Sequence, residues 1–309
     1  MLLFTLNIDM ENVIEWNVGL NDYQRCSLIL GKGKNLFNIT LQDNDFEPNR
    51  NVMDIFNDHL SIRQSKYVEV LYSGGLDSEL ALLSCVRNNI PVKAMTLVIK
   101  IKGLTINTHD LYYAQKFCIE HNIEHKMIEL EADKFFDNGT YLNYLKPYHI
   151  TEPHVATHMW LIEQCSNFPI IGGDWPWVHM HIKDKVLSPF KMEFSSYERF
   201  MKDKGIYGIG NMISNSLESS CNFIQLHLNN YQGTENISTF KTRMYQNIEP
   251  TIEYRLRSYG WEKSSSINFN LIKYRVELLK LGITNHTIKW GNTISSLLNT
   301  PVNQNESFV

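Results

Sequence analysis

The sequence lacks the features that mark membrane-spanning, exported or strongly basic proteins. Its 309 residues contain no uninterrupted apolar run approaching the roughly 20 residues that a membrane-spanning helix needs. The amino-terminal stretch lacks the basic region and the long apolar region of a signal peptide. Charged residues make up 20% of the chain and the formal net charge is only -4, so nothing indicates a general attraction to nucleic acid. We therefore expect a cytoplasmic protein with no membrane partner.

Cysteine is also scarce. The five cysteines are odd in number and widely spaced, and none forms a C-x-x-C pair that would indicate a zinc site or a redox couple. We expect most of them to be buried thiols. The same spacing argues against sulfur transfer through adjacent cysteines, although a single reactive thiol stays open.

The hydrophobic pattern divides the chain into three regions. Residues 1–65 mix short alternating stretches with turn clusters, which predicts a small strand-rich cap. Residues 66–189 alternate buried strands with helices, which predicts an α/β domain with a parallel twisted sheet and helices on both faces. Residues 190–309 read as a helical region, including a segment from Phe200 to Leu217, and we expect this region to complete the substrate site.

One short string carries most of the chemical information. Ser73 to Ser78 reads S-G-G-L-D-S and lies between a predicted buried strand and a predicted helix. Two adjacent glycines allow the backbone N–H groups to approach an anion, and the helix that begins near Asp77 adds the positive end of its dipole. The alternative is a plain turn in which serine or aspartate only caps the helix. That alternative fits any two of these residues, whereas the complete string favours a phosphate or pyrophosphate cradle.

The string Ser73-Gly74-Gly75-Leu76-Asp77-Ser78 resembles the PP-loop of the N-type ATP pyrophosphatases, the adenine nucleotide alpha hydrolase-like superfamily. It lacks the G-K-S/T ending that a Walker loop requires. The resemblance implies the fold of that superfamily and the use of ATP. It also implies cleavage between the α and β phosphates, with AMP joined transiently to the substrate and pyrophosphate released.

Within this superfamily the chain is most similar to the synthetase domain of asparagine synthetase, from about Tyr67 to Asp174. The similar parts are the strings 110–116 and 122–130 and the glycine-rich Gly172-Gly173-Asp174, which follows another short strand. The resemblance implies a carboxylate substrate that is adenylylated and then attacked by an amine.

The glutaminase domain of that family is not matched. Its nucleophile is a cysteine at position 2, where this chain has Leu2. About 65 residues before the loop are also too few for such a domain. We therefore expect free ammonia, another amine, or a group delivered by a separate partner protein as the acceptor.

The resemblance assigns further residues to the site. Asp77 and Asp174 would share Mg²⁺ with the nucleotide phosphates, because carboxylate and phosphate oxygens suit that ion. Gly172 and Gly173 would contribute to nucleotide binding, with a simple turn leading into Trp175 as an equally weighted alternative.

Two more groups are implied in the same way. Backbone groups of Thr96, Leu97 and Val98 would bind adenine. Lys241 and Arg255 would stabilise negative charge that develops on the α-phosphate or on a tetrahedral intermediate. For each basic residue alone, a surface charge or an ordinary salt bridge is the alternative.

Two other functions stay open at this level. One is a nucleotide-binding module that has kept the phosphate cradle and lost turnover, because the second loop lacks the fuller acidic string of the family. The other is a PP-loop enzyme that modifies tRNA or a nucleobase. A basic patch interleaved with aromatic residues would favour nucleic acid as a partner, and the sequence contains no concentrated patch of this kind.

Overall fold

The computed structural model describes most of the chain, with gaps between the described segments. These segments are residues 13–30, 36–63, 65–173, 178–180, 185–187, 193–230, 237–253, 271–283 and 286–299. Within them, no helix combines the length and the apolar character needed to cross a membrane. All five cysteines are free; Cys26, Cys85, Cys118 and Cys221 are buried and Cys165 is half-buried. The prediction of buried thiols is therefore confirmed for four of them.

The centre of the molecule is a mostly parallel sheet. Its parallel strands are β4 (Val68–Leu71), β5 (Val92–Ile101), β7 (Glu124–Glu131) and β8 (Phe168–Ile171). Their spatial order is β7-β5-β4-β8, and the short β6 (Leu104–Thr105) pairs antiparallel with the end of β5. Leu71 pairs with both Met95 and Ile171, so β4 and β8 end at the same edge, and β5 continues past them to Ile101.

Helices cover both faces of this sheet. One face packs on α1 (Val52–Ser61), α2 (Leu76–Arg87), α3 (Thr108–Glu120), α8 (Leu217–Asn230) and α9 (Ile237–Ile248). The other packs on α4 (Ala132–Asp137), α5 (Leu142–Leu145), α6 (Val155–Glu163), α7 (Glu193–Asp203) and α10 (Ile272–Lys280). The predicted α/β class, with helices on both faces of a parallel sheet, is confirmed.

The central strand β4 shows why the two faces can both be buried. Val68 and Val70 point into one hydrophobic cluster and Leu71 into the other, as the two-residue period of a strand requires. Glu69 lies between Val68 and Val70 on this strand, and its buried carboxylate accepts hydrogen bonds from the backbone N–H groups of Ser166 (2.7 Å) and Asn167 (2.6 Å). Glu69 thereby fastens the turn that leads into β8.

A second, smaller sheet contains β1 (Val13–Val18), β2 (Gln24–Ile29), β3 (Leu36–Leu41) and β11 (His286–Lys289). The first three strands are antiparallel and β11 joins β3 in parallel. The helix α11 (Asn292–Asn299) follows, and Asp43 accepts hydrogen bonds from the N–H groups of Asn292 and Thr293, both at 2.8 Å. The predicted strand-rich cap therefore exists, and residues 286–289 add a strand to it.

The remaining described strands form a separate antiparallel pair. They are β9 (Val178–Met180) and β10 (Lys185–Leu187).

The prediction of one helical segment from Phe200 to Leu217 is wrong. Helix α7 ends at Asp203, residues 204–216 are not helical, and the backbone around Ile209 pairs with the outer edge of β8. The N–H of Ile209 donates to the carbonyl of Pro169 and the carbonyl of Ile209 accepts from the N–H of Ile171, both at 2.9 Å. The backbone groups at this edge of β8 are satisfied by pairing, which outweighs the local helical pattern.

Candidate functional site

The loop between β4 and α2 lies at the carboxyl edge of the central sheet. Gly75 is the N-cap residue of α2 and provides no side-chain hydrogen bond to the first helical turn. The plain-turn alternative requires that Ser73 or Asp77 caps the helix, and neither side chain does so in the ordinary way. The N–H groups of the first turn therefore remain suited to an external anion.

Two glycines allow this loop to pack tightly. Gly74 has a φ of +77°, and a β-carbon there would collide with the carbonyl oxygen of Asp110 in the first turn of α3. Gly172, which follows β8, lies against the loop from the other side, where a β-carbon would fall 2.7 Å from the carbonyl oxygen of Asp77. The loop is thus held between the start of α3 and the end of β8.

The two serines of the loop bind each other. Their hydroxyl oxygens are 3.2 Å apart, and the Ser78 hydroxyl also accepts from the N–H of Ser73 (3.3 Å) and donates to the carbonyl of Gly75 (3.0 Å). Ser78 is buried and Ser73 is exposed. Ser78 therefore closes the loop from inside, while Ser73 presents its hydroxyl on the solvent side.

The third polar residue of the loop, Asp77, is bound by two side chains of α9. The Lys241 ammonium lies 2.5 Å from Asp77 Oδ2, and the Tyr245 hydroxyl donates to Asp77 Oδ1. The Lys241 side chain is only 10% exposed and that of Asp77 20%, so the pair is largely removed from water. The structure thus brings together the loop aspartate and one of the two basic residues named from the sequence.

A second buried contact joins the residue before the loop to the helix that follows it. The Tyr72 hydroxyl donates to Glu79 Oε2 at 2.8 Å, and both residues are almost fully buried. Tyr72 precedes the loop and Glu79 lies in the first turn of α2. The contact therefore fixes the angle between the strand and the helix that the loop joins.

The proposed adenine strand lies beside this loop. Thr96, Leu97 and Val98 belong to the part of β5 that continues past the last residue paired with β4. The Thr96 hydroxyl donates to the carbonyl of Tyr72 at 2.6 Å and lies 2.8 Å from His125 Nε2. Burial lowers the pKa of His125 and thereby favours its neutral imidazole.

The side chain of Asn107 occupies the backbone edge of this strand. Its Nδ2 donates to the carbonyl of Leu97 at 2.8 Å, and its Oδ1 accepts from the N–H of Ile99 at 3.0 Å. Asn107 is buried. The amide fixes β5 where its hydrogen bonding to β4 has ended.

The residues named for magnesium fit that ion only in part. Asp77 has the oxygen chemistry that Mg²⁺ prefers, but each of its oxygens already has a donor, and the ion would compete with the Lys241 ammonium for this carboxylate. No cluster of three or more His, Cys, Asp or Glu side chains suited to a metal occurs in the part of the chain that the structure describes. Asp174 and Arg255 lie outside that part, so their roles stay predictions.

Sequence reasoning missed three of the polar residues near the loop: Tyr245, Asn107 and Glu79. Tyr245 had a usable signal, because it lies four positions after Lys241 on a helix and therefore shares its face. Asn107 and Glu79 had no such signal, because their partners come from tertiary packing. Gly172 and Gly173 are placed as expected, at the end of the strand next to β4.

Comparison with known proteins yields distant structural similarity. No protein-family model matches the chain, and no curated protein matches it. Among solved structures, it is similar to NMN synthetase from Francisella tularensis, with 18% identity and a TM-score of 0.29 over 41% of this chain and 54% of that one.

Two further solved structures are similar to the chain, with sequence identities and TM-scores in the same low range. An NH3-dependent NAD synthetase from Campylobacter jejuni has 21% identity and a TM-score of 0.28 over 38% of this chain and 52% of that one. A U34-tRNA thiolase from Methanococcus maripaludis has 14% identity and a TM-score of 0.33, covering 74% and 70%. The chain spans about half the length of the two synthetases. These values are too low to assign an activity, so the function is argued from the site itself.

Proposed function

We propose that this chain is an ATP-dependent ligase that adenylylates a substrate and releases pyrophosphate. The observation that carries the proposal is the Ser73–Ser78 loop, which opens α2 without a side-chain cap and has the Lys241 cation bound to its aspartate. A helix start of this kind binds anions through its N–H groups and its dipole. The resemblance of the loop to the PP-loop supports ATP as the anion.

The loop would hold the β and γ phosphates that leave together. Ser73 is exposed, and its hydroxyl lies 3.2 Å from the Ser78 hydroxyl and accepts from the N–H of Gly75 at 3.3 Å, so it can turn to donate to a phosphate oxygen. The backbone of Thr96, Leu97 and Val98 would receive the adenine ring. For Leu97 this requires a carbonyl that now accepts from Asn107, so the base would share that edge of β5 with the amide.

Lys241 would stabilise the charge that develops during the reaction. A substrate carboxylate oxygen attacks the α-phosphorus, the bond to the β-phosphate oxygen breaks, and pyrophosphate leaves with the electron pair. An ammonium group that is 10% exposed stabilises this charge more strongly than one in water, because little solvent screens it. Arg255 is proposed as a second cation on the basis of the resemblance.

Magnesium, when bound, would neutralise phosphate charge, with Asp77 and Asp174 as its proposed protein ligands. An amine or ammonia would then attack the acyl carbon, displace AMP and leave an amide, as in asparagine synthetase. The amine would come from solution or from a separate partner protein.

The test is the pair of products that ATP yields. Purified protein is incubated with ATP, Mg²⁺ and a panel of small carboxylates, with and without ammonia, and AMP, ADP, phosphate and pyrophosphate are separated. We expect AMP and pyrophosphate that depend on one class of carboxylate, and exchange of labelled pyrophosphate into ATP. Formation of ADP and phosphate would contradict the proposal.

The two contacts that Asp77 already makes with α9 favour one second candidate, a nucleotide-binding module without turnover. Both carboxylate oxygens already have a donor from α9, so a metal at this residue would compete with the Lys241 ion pair. Calorimetric binding of ATP with Mg²⁺, with no AMP after long incubation with every carboxylate, would favour the module. RNA that copurifies with the protein would favour a tRNA-modifying enzyme instead.

A further inference from the structure

Each oxygen of the Asp77 carboxylate has its own donor. Lys241 binds Oδ2 through a charged ammonium group, and Tyr245 binds Oδ1 through a neutral hydroxyl. The two donors are four positions apart on α9, so their side chains project from the same face of the helix, one turn apart. The proposed function gives Lys241 a task on the phosphates and gives Tyr245 none.

The two donors differ in their freedom to move. Tyr245 is fully buried in the core cluster on that face of the sheet, and its ring meets Phe223 edge-on with centroids 6.5 Å apart. Lys241 has a long side chain with four rotatable bonds and retains some exposure. The ammonium group can therefore change partner more readily than the Tyr245 hydroxyl, whose ring is held in the core.

Movement of Lys241 has a consequence for Asp77. If the ammonium group turns to a phosphate, it leaves a carboxylate that is 20% exposed and has lost its counter-charge. A largely buried charge that loses its counter-charge is destabilising. The bond from Tyr245 stays in place, so the carboxylate keeps a donor and its orientation.

We infer that Tyr245 is a positioning residue, which holds Asp77 in place while Lys241 exchanges between that carboxylate and the nucleotide. The inference rests on the proposed function, because it requires a nucleotide phosphate near Lys241. Without the Tyr245 hydroxyl, release of Lys241 is less favourable and Asp77 can rotate away. Nucleotide affinity therefore falls although Tyr245 touches no nucleotide.

The experiment measures binding of the α,β-methylene analogue of ATP by calorimetry, with Mg²⁺ present. In Tyr245→Phe we expect affinity about tenfold weaker than in the wild type, as for loss of one hydrogen bond to a charged group. The matched control is Tyr141→Phe. Tyr141 is also fully buried and donates to a carboxylate, Glu277 Oε2 at 2.7 Å, but it belongs to the cluster on the opposite face of the sheet. We expect the control to bind as the wild type does.

A second pair of variants separates positioning from general packing. In an Asp77→Ala background, Tyr245→Phe should cause no further loss of affinity, because a positioning hydroxyl acts through the carboxylate that this background removes. Phe223→Leu changes the packing of the Tyr245 ring and leaves the hydroxyl in place, so it should lower the melting temperature without a tenfold loss of affinity.

The outcomes distinguish this inference from the proposed function. Wild-type binding with equal affinities for Tyr245→Phe and Tyr141→Phe would overturn the inference alone. A tenfold loss that persists in the Asp77→Ala background would also overturn it, because Tyr245 would then act as a core residue. No binding by the wild-type protein would overturn the proposed function, and the inference with it.

Discussion

Gly172 lies so close to α2 that a β-carbon on it would fall 2.6 Å from the Cα of Ser78. The end of β8 and the last residue of the loop are therefore in direct backbone contact, and the position of one sets the position of the other. Gly172→Ala should push the first turn of α2 outward. We expect a loss of about 1–3 kcal/mol in the free energy of unfolding, as for other overpacked sites. Nucleotide affinity should fall with it.

Gly282→Ala is the control for this substitution. Gly282 has a φ of +80° and nothing within 4 Å of the added carbon, so only the left-handed backbone is strained. That strain costs about 1–2 kcal/mol. Urea denaturation and calorimetry measure both variants. Reduced nucleotide affinity in Gly282→Ala, or unchanged affinity in Gly172→Ala, would contradict the proposed coupling between β8 and the loop.

Lys241→Met should reduce substrate-dependent pyrophosphate release by at least about 100-fold. This is the usual cost of removing one group that stabilises transition-state charge. The variant keeps most of the side-chain volume, and a stopped assay for pyrophosphate measures the effect.

Lys273→Met provides a closely matched control for Lys241→Met. Lys273 also binds an aspartate that accepts from a tyrosine, since Asp137 Oδ1 lies 2.8 Å from Lys273 Nζ and 2.6 Å from the Tyr274 hydroxyl. That group lies on the surface, with the lysine side chain 55% exposed. Its loss should leave activity unchanged. Equal losses in the two variants would argue against a catalytic role for Lys241.

Asn107→Leu should destabilise the edge of β5. It removes the donor to the Leu97 carbonyl and the acceptor for the Ile99 N–H. Each buried backbone group left without a partner costs about 1–3 kcal/mol, so the midpoint of urea unfolding should fall clearly. Asn107→Asp keeps the acceptor and loses the donor, and it should lie between the wild type and the leucine variant. A leucine variant as stable as the wild type would show that water replaces the amide.

His59 should make stability depend on pH. Burial lowers its pKa to about 4, from an ordinary value of 6.5, and its Nε2 lies 3.2 Å from the Ser216 hydroxyl. The folded state therefore favours the neutral ring. Its contribution is present above pH 6.5 and is lost as the pH falls from 6.5 towards 4. The loss amounts to at most about 3 kcal/mol.

His59→Gln tests this contribution. Free energies of unfolding at intervals between pH 4 and 7 should fall less steeply with decreasing pH in the variant than in the wild type. Parallel curves for the two proteins would mean that other groups cause the pH dependence.

The local hydrophobic pattern was enough to predict the four parallel strands of the central sheet, because each of them carries its own periodicity; the short β6 was not predicted. It failed between Phe200 and Leu217. There, the backbone of Ile209 pairs with Pro169 and Ile171, and that pairing cannot be read from the segment alone. The strand at residues 286–289 was missed for the same reason, because its partner β3 lies far away in the sequence.

For the candidate site, the sequence predicted only residues whose proposed chemistry can be recognised from a local motif. The string from Ser73 to Ser78 is one unit, and the structure places Lys241 against its aspartate. Tyr245 and Asn107 were missed, because a buried tyrosine and an asparagine before a helix have ordinary structural uses. Only their partners, the Asp77 carboxylate and the backbone of β5, give them a place near the loop.

The small sheet can be completed only late in folding, because one of its strands comes from the end of the chain. The contact between Asp43 and Asn292 spans 249 positions, and the pairing of β3 with β11 closes a chain loop of similar size. Closing such a loop is entropically costly and slow compared with local pairing. During translation, β4, α2 and β5 can assemble as soon as they leave the ribosome, while the edge of β3 waits for residues 286–289. A nascent chain arrested before those residues should therefore already protect the central sheet from proteolysis and leave β3 open to cleavage.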